Sequence, residues 1–263
     1  MPTLVLSQRY STDSSALWRA ALDAGWDVER VRGFAIDPAL AGRDPVLYGE
    51  TLFADAVIEA LGIGLLQPTD DWLPRLPERY RMRSVRLVPV DEARALTSPT
   101  FIKPPDEKWF PARVYATGAA MDLGPEIGPD LLVLVADPVV FEVEFRIFVL
   151  ERSSVASSVY IRGGDIAQVG GEWPASPGEE AAALSFARAL LADPAVELPG
   201  AVVLDVGHIR DRGWAVVEAN AAWASGLCGV DPRAVLPVLR RAAVCMNRVH
   251  SEDEPWVRGA ATR

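Results

Sequence analysis

The 263-residue sequence predicts a small α/β domain followed by a strand-rich α+β domain, and three observations carry that expectation. In the first third, short apolar runs alternate with stretches of helical periodicity. From Phe101 to Tyr160, strands follow one another with no long helix between them. Between these regions lies a proline-spaced stretch, residues 68–77, that reads as a boundary. We therefore expect one domain over residues 1–75, a second over 76–248, and a loose polar tail over 249–263.

The elements follow in order. Thr3-Leu4-Val5-Leu6 is a first apolar strand. Residues 11–13 offer N-cap oxygens to a helix whose apolar positions recur at helical spacing until Gly25 stops it. Residues 26–31 and 45–49 are two more strands, 52–61 a second helix, and 63–66 a fourth strand. This rhythm predicts a small parallel sheet covered by helices. Further on, Phe101-Ile102-Lys103 and Ala112-Arg113-Val114-Tyr115 flank a loop, and residues 131–135 form an apolar strand ending at Ala136-Asp137-Pro138. Residues 141–150 alternate, which places Glu144 and Arg146 on one face. Residues 154–162 return as the partner strand. Ser176-Pro177-Gly178-Glu179 is a capping box that opens a helix to Leu191. Residues 201–206 and 214–219 are two apolar strands joined by the turn Arg210-Asp211-Arg212-Gly213, and a last helix spans about 232–248.

Charge and composition exclude some classes. A net charge of −10 argues against a general nucleic-acid binder, which needs basic excess to displace counterions. Arg79, Arg81, Arg83 and Arg86 crowd one stretch that reads as a solvated face. Cys228 and Cys245 lack metal-site spacing and fit a reduced cytoplasm. No apolar run reaches the length of a membrane span. The expected location is cytoplasmic, with neither nucleic acid nor membrane as partner.

Three polar residues mark the late hairpin. Asp205 closes one apolar strand, while Glu218 and Asn220 close the next on a shared face. Hard oxygen donors of this kind suit magnesium, which shares phosphate oxygens with a nucleotide; residues of these types also begin turns. Arg146 lies between Phe145 and Ile147, where a charge needs a partner. Glu144 is one candidate, and a transferring phosphoryl or acyl-phosphate group is another. Only two of the 26 basic residues are lysines, Lys103 and Lys108, and both fall in one strand-to-loop segment. Codon bias explains their scarcity but not their proximity. A compact ammonium suits a phosphate oxygen, whereas arginine is a planar fork.

In order, these pieces resemble the ATP-grasp superfamily. Val202-Val203-Leu204-Asp205-Val206-Gly207, then Ala215-Val216-Val217-Glu218-Ala219-Asn220, then Ser225-Gly226-Leu227 resemble its metal-binding hairpin and glycine-bearing loop. Glu144-Phe145-Arg146-Ile147-Phe148-Val149 resembles a strand of the ribosomal-protein glutamate ligase branch, and Phe101-Ile102-Lys103-Pro104 the first ATP-binding lysine strand. The loop over residues 104–111 departs from the common pattern: it has no glycine and carries Lys108. In this it resembles the clade named for one arginine and two lysines.

The resemblance implies an α/β N-terminal domain followed by an α+β ATP-grasp fold that sandwiches ATP between two subdomains. It implies ATP and Mg2+, with Asp205, Glu218 and Asn220 as metal ligands. Lys103 would reach the α/β-phosphates and Lys108 the β/γ-phosphates, while Asp137 and Val139 would form the adenine hinge and Glu144 would join the nucleotide-binding set. Arg146 and Lys108 would act on the transferring group. By its position on the returning strand, Arg162 would hold a substrate carboxylate beside Ser225 and Gly226. The implied activity joins a small carboxylate to an amine through an acyl phosphate. The alternatives are an ATP-grasp kinase and a nucleotide-binding regulatory protein without turnover.

Overall fold

The computed structural model describes residues 1–105, 109–124 and 127–258. In the N-terminal part, β1 (Thr3–Leu6) lies between β2 (Asp27–Arg30) and β3 (Pro45–Tyr48), parallel to both. All four β1 residues are buried, as a central parallel strand requires. Helix α1 (Thr12–Asp23) opens with a capping box in which Ser11 and Ser14 satisfy each other's backbone N–H groups. Helix α2 (Thr51–Leu61) stops at Gly62, in the left-handed conformation that glycine adopts without cost. The following strand, β4 (Ile63–Leu65), does not join this sheet.

Two short helices, α3 (Trp72–Arg75) and α4 (Glu78–Arg81), lead into the second part. There β5 (Val85–Pro89), β6 (Thr100–Lys103), β7 (Arg113–Tyr115) and β8 (Leu132–Ala136) form an antiparallel sheet in the order β5-β8-β6-β7. The short helix α5 (Val90–Arg94) packs against it. The arginines expected on a solvated face are mostly engaged. Arg79 pairs with Asp193, Arg86 with Glu92, and Arg81 donates to the Leu76 and Val85 carbonyls. Arg83 is buried, so that expectation fails for it.

The larger sheet is antiparallel throughout. It comprises β9 (Phe141–Leu150), β10 (Ser153–Arg162), β11 (Asp165–Ile166), β12 (Ala201–Ile209) and β13 (Gly213–Asn220), in the order β11-β10-β9-β12-β13. Its back face, with Phe145, Ile147, Val149, Val202, Leu204 and Val206, packs with Ala183, Ala187 and Leu190 of helix α6 (Pro177–Ala192). The capping box at Ser176 and Glu179 opens that helix. The front face is split. Phe148, Ala201 and Val203 enter the same apolar cluster as Leu4, Leu6 and Leu17 of the N-terminal part. Glu144, Arg146, Asp205, Glu218 and Asn220 occupy the rest of that face.

Two bulges set the phase of this face. Asp205 pairs with Glu218 but Val206 pairs with Val216, so Val217 is the extra residue. Val216 therefore points into the core while Glu218 and Asn220 share a face with Asp205. In β10, Val159 pairs with Phe145 and Ile161 with Glu144, which leaves Tyr160 extra.

Helix α7 (Pro232–Ala242) ends earlier than the expected 248. Its successor, β14 (Ala243–Cys245), is drawn into an antiparallel ladder with β4. The tail, expected to be loose, packs as far as residue 258. Leu66 bridges Val257, Gln67 N–H donates to the Trp256 carbonyl at 2.9 Å, and Trp256 is buried. The apolar cluster shared between the two parts likewise crosses the boundary drawn at residue 75. Among the described residues, no helix is long and apolar enough to cross a membrane.

Replacing Trp256 with alanine should cost about 3 kcal/mol of stability, the usual loss for a buried aromatic. Urea denaturation checks this, and an unchanged midpoint would mean that the tail is not packed in solution.

Candidate active site

Register brings the site together. Arg146 on β9 stands opposite Asp205 on β12, which stands opposite Glu218 on β13. The Arg146 guanidinium grips Asp205 with both arms: Nε donates to Oδ1 at 3.0 Å and Nη2 to Oδ2 at 2.7 Å. Asp205 is 0% exposed and Arg146 8%. The partner of Arg146 is thus Asp205, not Glu144 as its neighbouring position suggested. Cross-strand neighbours lie closer than residues two apart along one strand. The bulged Tyr160 places its ring 4.3 Å from the guanidinium carbon, a cation–π contact.

The chain of charges continues outward. Asn220 Nδ2 donates to Asp205 Oδ2 at 3.1 Å and to Glu218 Oε1 at 3.0 Å. Glu218 Oε2 accepts from Lys103 Nζ in an ion pair. Lys103 ends β6, so this contact ties the four-stranded sheet to the five-stranded one. Beside it lies a cavity of about 630 Å3, lined by Lys103, Trp109, Leu134, Glu218 and Asn220 and by residues of the 67–73 segment.

Residues 80–238 match the model of an ATP-grasp domain, family 2 of the clade named for one arginine and two lysines. The chain belongs to this family. The ATP-grasp fold recurs in solved structures. The RimK domain protein of Sphaerobacter thermophilus DSM 20745 is 15% identical, with 91% of this chain and 99% of that one covered at a TM-score of 0.57. D-alanine–D-alanine ligase from Bacillus anthracis is 10% identical, with 92% and 97% covered at 0.55. D-cycloserine synthetase DcsG is 11% identical, with 92% and 100% covered at 0.56. At these identities the likeness is one of fold. Among curated proteins, none matches the sequence.

The other expected site residues of this ATP-grasp protein fall in several places. Lys108 lies outside the described residues. Asp137 and Val139 occupy the β8–β9 linker and do not line the cavity; the Asp137 carboxylate accepts from the Ser84 N–H at 2.9 Å. Ser225 turns its hydroxyl back to the Ala221 carbonyl at 2.8 Å. The Gly226 carbonyl accepts from Arg146 at 3.4 Å, and a Cβ at Gly226 would approach Asp13 Oδ2 to 3.3 Å. Arg162 is a correction. It stands opposite Val143 on the back face, where Glu179 of α6 takes both its arms. The bulge at Tyr160 reverses the alternation, sending Arg162 away from Arg146.

The sequence reading missed two residues at the site besides Arg83. Asp13, taken as a cap, instead accepts the Leu227 N–H at 3.0 Å and so anchors the loop after β13. Tyr160 reaches Arg146 only through its bulge. A contact spanning 214 residues, as from Asp13 to Leu227, leaves no local signal.

Electrostatics separate the carboxylates. Burial pushes Glu218 up, but Lys103, Asn220 and Arg146 together outweigh it and hold the group below its usual range. Burial pulls the Arg146 guanidinium down, and Asp205 more than restores it. Glu144 is half-buried and has no ion-pair partner among the described residues. Burial first, then the Asp205 and Glu218 charges, push it up to about 7.

An unfolded glutamate titrates near about 4.3. Between that value and about 7 the native chain keeps a proton on Glu144 that the unfolded chain has lost. The stability this group contributes is therefore full below the window and falls as pH rises through it. Glu144→Gln should flatten this part of the stability–pH curve, read as urea midpoints across the window. Parallel curves for wild type and variant would refute the assignment.

Proposed function

We propose that this protein is an ATP-dependent carboxylate–amine ligase that works through an acyl phosphate. The observation that carries this reading is the chain Lys103–Glu218–Asn220–Asp205–Arg146, whose first three members line a cavity between two sheets. Family membership supports ATP as co-substrate, and the ligase and synthetase among the fold relatives support amide formation.

Asp205, Glu218 and Asn220 fit magnesium in kind, being two carboxylates and an amide on one face. Among the described residues no three His, Cys, Asp or Glu side chains converge, so phosphate oxygens or waters would complete the shell. When bound, magnesium would offset phosphate charge as the terminal phosphoryl group moves. The chain's own residues do the rest. Lys103, now balancing Glu218, lies within reach of a phosphate in the cavity, and Lys108 retains its phosphate-facing role on sequence grounds. Arg146 offsets part of the burial cost of the Asp205 carboxylate and adds positive charge behind the transferring group.

The chemistry has two displacements. A substrate carboxylate oxygen attacks the γ-phosphorus as the bond to ADP breaks. The amine nitrogen then attacks the acyl carbon, loses a proton and expels phosphate. The protein contributes position and charge balance.

Incubation with ATP, candidate acids and hydroxylamine should give hydroxamate and ADP. A stable phosphate ester without hydroxamate would establish the kinase alternative, and binding without turnover the regulatory one. Glu218→Gln should lower magnesium-dependent turnover about a hundredfold or more while leaving the fold intact. Lys103→Arg should weaken nucleotide binding at least about tenfold in calorimetry, because a guanidinium fork does not replace a point charge. Equal affinities would remove Lys103 from the phosphate site.

A further inference from the structure

We propose that Arg83 is a positioning residue that fixes the bulge in β13 and thereby aims Glu218 and Asn220 at the cavity. Arg83 lies in the chain entering β5, is only 7% exposed, and reaches across to the other sheet. Its Nη1 donates to the Val216 carbonyl at 2.7 Å and to the Arg81 carbonyl at 3.0 Å, and its Nη2 to the Val217 carbonyl at 3.1 Å. The Phe141 ring lies 5.1 Å from its guanidinium carbon.

Successive carbonyls of a regular strand point to opposite edges, so one side chain cannot take both. Arg83 takes both because the extra residue, Val217, turns them to one side. Among the described residues β13 is also the outer strand of its sheet, with no further strand on that side to pair these groups. The phase set here decides the site. Without the bulge, Glu218 would keep the alternation of Val216, which faces the apolar layer under α6. A planar fork suits two adjacent carbonyls as a point charge does not. Its burial pulls Arg83 down to about 10, so the fork stays charged at neutral pH.

This inference rests on Glu218 being a metal ligand, and the experiment separates the two claims. Mn2+, as a probe for magnesium, is titrated by electron paramagnetic resonance into protein saturated with a non-hydrolysable ATP analogue. Arg83→Met should weaken Mn2+ binding about 10- to 100-fold, the range for losing a group that orients a ligand. Arg83→Lys, with one point donor, should fall between that variant and wild type. Analogue affinity in EDTA should change less than about twofold, since Arg83 does not touch the cavity. Wild-type Mn2+ affinity in folded Arg83→Met overturns the proposal. So does a parallel loss of metal-free analogue binding, which would mark general loosening. If neither variant folds, Arg83 is a requirement of the fold and the positioning role falls. Glu218→Gln with wild-type Mn2+ affinity would instead defeat the metal-ligand reading itself.

Discussion

Two acids, Asp205 buried and Glu218 half-buried, govern this molecule, and neither is stable alone. Asp205 lies wholly inside the protein, where an unpaired carboxylate would cost several kcal/mol of lost hydration. Arg146 offsets part of that penalty by gripping both oxygens, although burial still holds Asp205 above its usual range. Glu218 meets the same problem nearer the surface and takes its cation from the other sheet, through Lys103. Asn220 links the two acids. The arrangement of the sheets depends on this balance, because the cation for Glu218 belongs to a separate element. Charge balance thus couples the wall of the cavity to its floor.

The front face of the larger sheet serves two purposes by dividing them along its strands. Phe148 and Val203 anchor the sheet to the N-terminal part, while Arg146, Asp205 and Glu218 stand further along the same surface. Strand alternation alone places Arg146 and Asp205 there. Glu218 and Tyr160 require single-residue insertions in β13 and β10. Both insertions lie where the polar groups converge, as expected where a strand must redirect a side chain.

Much of this was legible in the sequence, for physical reasons. The alternation of residues 141–150 and the capping box at Ser176 are local patterns, and the structure repeats them. The hairpin of β12 and β13 was marked by its turn residues. Lys103 stood out because lysine is scarce. What escaped depends on distance or on one-residue phase. The partner of Arg146 is 59 positions away, while Glu144 is two away and carries the same charge as Asp205. A bulge leaves composition unchanged, so the reversal of Arg162 had no local mark. Arg83 looked like one of a solvated run because its acceptors lie on β13. The tail read as polar because Trp256 and Val257 sit among charged residues, although both are buried.

The apolar layer shared by Leu4, Leu17, Phe148, Val203 and Trp223 has a consequence for cooperativity. Opening the N-terminal sheet would expose Phe148 and Val203, on the same strands that carry Arg146 and Asp205. The loss of either part uncovers the other, so the two melt as one unit and not as beads on a string. A ligand held between Lys103 and Glu218 therefore lends its binding energy to the whole unit. Amide hydrogens as distant as those of β1 would exchange more slowly when the cavity is filled, although β1 contributes no side chain to it.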